Sequence, residues 1–289
     1  AYFFNSIAHI PVYPCNPGMF RSMYFNCLGK NDLIIGISQS GETKDLVDIF
    51  QDVKKANNSV RLVSIVNNEN SRIPQELSDF YLPLLCGPEI AVAATKSFTS
   101  QIAVLYLLAA SFSMPEHRIR ENLLKAKDLM TETIETRMGD IESVAAHLFA
   151  ASSIHILGTG LIGLAKEGAL KIREVVLNHT EGYDAAEFKH GPNTILGRNT
   201  ILSLADLEKL VGAEPLTAIN NDLFEKLSHN YPLIFICPPE ERDRRITISQ
   251  IHTHKIRGAD IVLIAEPSQE LALAVEGAPM GIEKYCSKY

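Results

Sequence analysis

The run Leu33-Ile34-Ile35-Gly36-Ile37 passes straight into Ser38-Gln39-Ser40-Gly41-Glu42-Thr43, and then into Leu46, Val47, Ile49, Phe50 and Val53. A short, branched apolar run bounded by a polar turn predicts a strand buried on both faces. The later spacing predicts an amphipathic helix that packs back on that strand. The first amides of such a helix have no partner inside it and carry about half a positive charge between them. A strand–turn–helix junction of this kind suits an anion, phosphate above all. The turn holds three hydroxyls, one carboxamide and one glycine but no Lys or Arg, so N–H and O–H donors would grip the anion. No Gly-Lys-Ser/Thr ending follows, which excludes an ordinary nucleotide P-loop. Taken alone, the turn reads as a place where Ser40 or Thr43 merely caps the helix, and the rest of the chain raises the anion reading.

The alternation continues along the chain. A helix end at 1–7 and a short strand at 11–13 come first, and the helix at 42–55 follows the strand already described. Further strands are predicted at 61–66, 80–85, 154–157, 200–204, 233–237 and 261–265, with an apolar helix at 98–112 that Pro115 ends. Strands alternating with helices predict an α/β fold with one parallel sheet in each half. The expected organisation is a first subdomain at 1–115, connecting helices at 116–150 and a second subdomain at 151–289. The most apolar stretch, Ile102 to Phe112, is too short to span a bilayer and reads as a core helix.

A net charge of −7 and the absence of any basic-aromatic run exclude nucleic acid as an expected partner. The opening Ala1-Tyr2-Phe3-Phe4 lacks the basic start of a signal peptide. Five scattered cysteines without a CxxC pair fit reduced thiols in a cytoplasmic setting and supply no metal framework. His252-Thr253-His254 has no Cys or carboxylate at ligand spacing and reads as a pair of surface histidines, so no metal is expected. The charged run Pro238–Arg245 reads as a solvated loop or a helix start.

The halves are related. Leu28–Ile34 matches Leu196–Leu202, and at the same offset Phe20-Arg21 matches Phe188-Lys189, as expected of a duplicated unit. In that register Ser38, Ser40 and Thr43 face Asp206, Glu208 and Val211, while His190 faces Ser22. The anion turn therefore belongs to the first copy and the titrating histidine to the second, which suggests one composite site. The second copy opens with a strand and a Gly158-Thr159-Gly160 turn, whereas the first begins inside the equivalent helix. A strand and a glycine turn are thus expected to precede Ala1.

The second half also carries Glu167, Lys171 and Glu174 at i, i+4 and i+7 on one helix face. Such a stripe is either a solvated ion-pair ladder or, on a helix that starts at the carboxyl end of a strand, an acid–base group. His190, in a tight loop ended by Gly191-Pro192, could protonate a ring oxygen near neutral pH. Gly158-Thr159-Gly160-Leu161-Ile162-Gly163 satisfies the dinucleotide fingerprint. The stretch 178–184 is too polar for the second inner strand that an NAD site needs.

Four motifs in order carry a family resemblance. They are Ser38–Thr43, Gly87-Pro88-Glu89-Ile90-Ala91-Val92-Ala93-Ala94-Thr95-Lys96, Glu167-Gly168-Ala169-Leu170-Lys171 through Glu174, and Glu187-Phe188-Lys189-His190-Gly191-Pro192. Over nearly its whole length the chain resembles the sugar isomerase (SIS) domain family, and within it the isomerase modules of glucosamine-6-phosphate synthases. The resemblance implies two tandem flavodoxin-like SIS subdomains, each a parallel sheet flanked by helices, in a homodimer. It implies an enzyme that interconverts ketose and (amino)aldose 6-phosphates without a cofactor. By the same resemblance Ser38, Gln39, Ser40 and Thr43 hold the phosphate, and Val92 lines the sugar with its backbone. Glu174 moves a proton between C1 and C2 with Lys171 beside it, and His190 opens the ring from across the subunit interface.

Three departures stand out. Ala94 replaces a serine usual near the sugar, the family's first Cys/Gly-Thr-Ser turn would lie before Ala1, and its C-terminal imine-forming lysine has no match at Ser287-Lys288-Tyr289. No glutaminase domain with an N-terminal cysteine is seen, so glutamine-driven amination is not expected from this chain alone. A deglycase of phosphorylated Amadori sugars and a non-catalytic phosphosugar sensor remain as alternatives.

Overall fold

The structure, a computed structural model, describes residues 1–56, 59–149, 151–197, 209, 212 and 230–277. The chain divides into two compact units, Ala1–Thr136 and Arg137–Tyr289. In the first unit β1 (Leu33–Ser38), β2 (Arg61–Val66) and β3 (Phe80–Pro83) form a parallel sheet in that order. Helix α1 (Lys44–Ala56) turns Val47, Phe50 and Val53 onto Leu62, Ile73 and Phe20. Gly36 lets it approach, since a Cβ there would stand 2.6 Å from the Phe50 ring. Helices α2 (Lys96–Ala110) and α3 (Glu116–Thr136) follow.

Three expectations fail in this unit. β1 is not buried on both faces: Leu33 is 55% and Ile37 42% exposed. Among the described residues β1 is an edge strand, paired on one side only. Helix α2 is no core helix either, because only Ser97, Ala109 and Ala110 are buried along it and Leu107 is 47% exposed. A helix apolar all round gives no pattern from which to read its open face. Pro11–Tyr13 is not a strand but irregular backbone, where prolines remove ladder donors and the Asn5 side chain takes the Val12 amide at 3.1 Å.

After α4 (Met138–Leu148), the second unit holds β4 (Ser153–Gly158), β5 (His179–Asp184), β6 (Tyr231–Ile236) and β7 (Ala259–Ile264). All pairs are parallel, in the order β5-β4-β6-β7. Numbered within the unit this is 2-1-3-4, the start of the flavodoxin-like order. Helix α5 (Ile162–Val176) covers the face of Ile154, Ile156 and Ile234. Helices α6 (Glu241–Lys255) and α7 (Gln269–Glu276) cover the opposite face around Leu157, Leu233 and Phe235. The charged run Pro238–Arg245 thus leads into α6 and forms its first residues from Glu241 on.

The polar stretch 179–184 is a strand after all. Among the described residues it lies at the sheet edge, where burial on both faces is not required. A strand ending in an acid therefore does follow the Gly158–Gly163 turn and α5. Its Asp184 carboxylate is already engaged, with Oδ1 accepting the amides of Ala186 at 2.8 Å and Glu187 at 3.3 Å.

The strands correct the register of the duplication. Leu33 and Tyr231 open β1 and β6, Arg61 and Ala259 open β2 and β7, and both pairs stand 198 positions apart. The buried pair Phe20 and Phe188 keeps the offset of 168, so the second copy carries thirty extra residues between Phe188 and Tyr231. The expected strand 200–204, together with Asp206, Glu208 and Val211, lies outside the described residues. Position for position, Ser38–Thr43 corresponds instead to Ile236-Cys237-Pro238-Pro239-Glu240-Glu241. Two prolines and two carboxylates there still disfavour an anion, so the asymmetry between the copies survives on different residues.

Candidate functional site

Ser38 ends β1 and Lys44 starts α1, which puts the hydroxyl turn at the carboxyl end of the first sheet and the amino end of a helix. Ser38 is buried; its Oγ accepts the Gly41 amide at 2.9 Å and stands 2.7 Å from Thr43 Oγ1. One hydroxyl hydrogen closes that pair, leaving the other free to donate. The exposed Ser40 accepts the Glu42 amide at 3.1 Å through Oγ and keeps its own hydrogen unspent. The Lys44 and Asp45 amides donate to neither turn nor helix, the usual orphans of a helix start.

Residues just past β2 clamp the turn. The Gln39 carbonyl accepts the amides of Asn67 and Asn68 at 3.2 and 3.3 Å, and the Gly41 carbonyl accepts Ile73 N–H at 3.1 Å. The Glu42 carboxylate accepts the Arg72 amide at 2.6 Å. Gly41 is required twice over. Its φ is +67°, and a Cβ would fall 1.8 Å from Ser71 Oγ. No sequence signal marked Asn67, Ser71 or Arg72, because their role is to touch a turn some thirty residues away.

The loop after β3 carries Val92, 93% exposed, and the partly buried Ala94. Leu85 and Gly87 both adopt left-handed backbone, with φ of 54° and 71°. For leucine this costs roughly 1–2 kcal/mol. Asn67 bonds the residue between them: Oδ1 accepts Cys86 N–H at 3.4 Å and Sγ–H at 3.1 Å, and Nδ2 donates to the Gly87 carbonyl at 2.7 Å. Glu89 then bends back to the start of α2, accepting Ser97 N–H at 2.8 Å and Thr95 Oγ1–H at 3.0 Å. These bonds, Ser97's foremost, hold its carboxyl down to about 2.

In the second unit Lys171 Nζ reaches Glu174 Oε2 at 2.8 Å and Glu167 Oε1 at 3.4 Å. Burial opposes the lysine's charge, but the bonds to Glu174 and Glu167 outweigh it and its pKa is raised. The placement along α5 departs from expectation. Glu174 lies in the last turn, twelve residues and so roughly 18 Å from the helix start. It therefore stands at the opposite end of α5 from the glycine turn, towards the amino edge of the sheet. His190 closes a short helical turn, 187–190, before Gly191 at φ 143°, and is exposed. No bond joins it to Glu174. The structure thus groups Ser38, Ser40 and Thr43, groups Lys171 with Glu174, and leaves His190, Val92 and Gln39's carboxamide facing outward or unengaged.

Two buried histidines were not expected. His155 on β4 bonds Tyr231 OH at 2.7 Å, Tyr231 bonds Ser153 Oγ at 2.6 Å, and Ser153 bonds His179 Nδ1 at 2.8 Å. His254 is no surface residue: it is fully buried beside Phe188 and Phe235, with both ring nitrogens unpartnered. Burial lowers each of the two to about 4. Among the described residues no cluster of three His, Cys, Asp or Glu side chains is placed to hold a metal ion. None of their helices is long and apolar enough to cross a membrane.

Known proteins resemble this chain in sequence and in fold. Residues 1–111 match the SIS domain family. A glutamine–fructose-6-phosphate aminotransferase (isomerizing) of Sulfurisphaera tokodaii is 40% identical over 182 residues, 62% of this chain and 30% of that protein. The enzyme of the same name from Methanothermobacter thermautotrophicus is 31% identical over 93% of this chain and 39% of its own length. The chain thus spans roughly a third of the curated relatives it matches. In fold it is similar to the C-terminal domain of glucosamine-fructose-6-phosphate aminotransferase from Francisella tularensis, with a TM-score of 0.70 and 24% identity over 91% of this chain and 66% of that one. Tagatose-6-phosphate ketose/aldose isomerase from Escherichia coli superposes with a TM-score of 0.69 at 16% identity, over 96% of this chain and 68% of that one. What the comparisons show is therefore a SIS domain over residues 1–111.

Proposed function

We propose that the protein acts on hexose 6-phosphates as an isomerase or aminotransferase-type enzyme, interconverting ketose and (amino)aldose forms. The observation that carries this reading is the Ser38–Thr43 turn. Uncharged O–H and N–H donors collect there at a helix amino terminus, a setting made for a phosphate dianion. Charge-assisted bonds of about 1.5–3 kcal/mol each would anchor the phosphate through Ser38, Gln39, Ser40 and Thr43. The backbone around Val92 and Ala94 would meet the sugar. Glu174 then serves as the base between C1 and C2, with the Lys171 ammonium bonded to its carboxylate, and His190 donates to the ring oxygen. In this reading the subdomains are 1–115 and 151–289, joined by helices at 116–150. The enzyme works in the cytoplasm as a homodimer in which His190 serves the neighbouring subunit.

Incubation with fructose 6-phosphate plus ammonia, with glucosamine 6-phosphate and with a fructosamine 6-phosphate tests the reading by which of them turns over. Binding with no exchange of the C2 hydrogen would instead mark a sensor. Mixing inactive His190→Ala and Glu174→Gln proteins should restore part of the activity if the histidine acts across a dimer; no recovery would place it in its own subunit.

A further inference from the structure

Asn67 is the first residue past β2, the middle strand of the first sheet, and it touches the segments that follow both neighbouring strands. Its amide donates to Gln39 in the turn after β1 at 3.2 Å. Its side chain holds the loop after β3, accepting from Cys86 and donating to Gly87 O at 2.7 Å. That loop is bent by left-handed backbone on both sides of Cys86, a conformation leucine does not adopt unaided. We propose that Asn67 is a positioning residue: it sets the spacing between the phosphate turn and the 86–95 loop, and so selects phosphates that carry a sugar over phosphate alone.

The inference rests on the hexose 6-phosphate reading for its ligand, but its mechanical half does not. The backbone bond from Asn67 to Gln39 survives any side-chain change, so substitution should free the loop and leave the turn intact. Asn67→Asp is close to isosteric, and it puts a carboxylate oxygen against the Gly87 carbonyl where an N–H donated. Asn67→Ser removes the reach to Gly87 without adding charge.

Hydrogen exchange and phosphate titration of wild-type, N67D and N67S proteins test this. Without ligand, amides at 86–95 should exchange at least tenfold faster in both variants, and those at 38–43 and in β1 should stay within twofold. Unchanged exchange in the loop overturns the proposal whatever the protein binds. With ligand, inorganic phosphate should bind the variants within threefold of wild type, while fructose 6-phosphate should lose at least tenfold. Parallel losses for both ligands would reduce Asn67 to a general stability role and overturn it as well. Wild-type protein that bound neither phosphate nor fructose 6-phosphate would overturn the hexose phosphate reading and with it the selectivity claim, while the exchange data still judged the loop.

Discussion

Replacing Gly41 by alanine should damage the anion turn more than any other single methyl group added to this protein. Two costs combine. At φ +67° an L-residue loses roughly 1–2 kcal/mol that glycine does not. The new Cβ would also lie 1.8 Å from Ser71 Oγ and 2.8 Å from Ser71 Cβ, so Ser71 must move. Ser71 is buried and its hydroxyl donates to the Asn68 carbonyl at 2.5 Å. Losing that bond costs about 0.5–1.5 kcal/mol, and overpacking the site adds about 1–3 kcal/mol. Together these predict a loss of about 2.5–6.5 kcal/mol from the first unit.

A double-mutant cycle separates the parts, because Ser71→Gly removes the obstacle but not the backbone strain. G41A combined with S71G should be better than the sum of the single variants by about 1–3 kcal/mol. The assay is amide exchange of β1 and β2, which reports the first unit even if the two units unfold separately, together with phosphate titration of G41A. Strict additivity, or a G41A cost under about 1 kcal/mol, would show that the turn is not built as described.

Further outcomes follow from the same geometry. Ser38→Ala leaves the buried Gly41 amide without its acceptor, so it should cost about 1–3 kcal/mol and weaken phosphate binding, as read by denaturant titration and isothermal calorimetry. Glu174→Gln should slow solvent exchange at C2 about a hundred- to ten-thousand-fold and leave phosphosugar affinity nearly unchanged; surviving exchange would remove Glu174 from the base role. His155 and His254 titrate near 4 in the fold, against 6.5 for a free imidazole, and the cause is burial. Below pH 6.5 the unfolded chain takes up protons that the fold refuses, so stability should fall from pH 6.5 down to 4. Each histidine contributes at most about 1.4 kcal/mol per pH unit to that slope. His254→Leu should halve their joint contribution and, by removing two orphaned nitrogens, hold or raise the urea midpoint at pH 7; an unaltered pH dependence would refute it.

Much of the first unit was legible from local pattern. The strand at 33–38, the helix behind it and the polar turn between them follow from branched apolar runs and helical spacing within twenty residues. The failures have a common source. β1's open face, the exposed α2 and the strand status of 179–184 depend on which neighbour lies alongside, and a one-dimensional pattern does not say where a sheet ends. The duplication was likewise visible, but the offset of 168 read at 196–202 differs by thirty from the 198 that separates the paired strands.

Sequence alone therefore determined the α/β class, the anion-suited turn and the charged face of Glu167, Lys171 and Glu174, since each is written in neighbours along the chain. Only the tertiary structure decided that Asn67, Ser71 and Arg72 brace the turn and that His254 is buried with no partner. Those facts depend on approaches between segments tens of residues apart. Side-chain packing and strand order specify such approaches, and residue spacing does not.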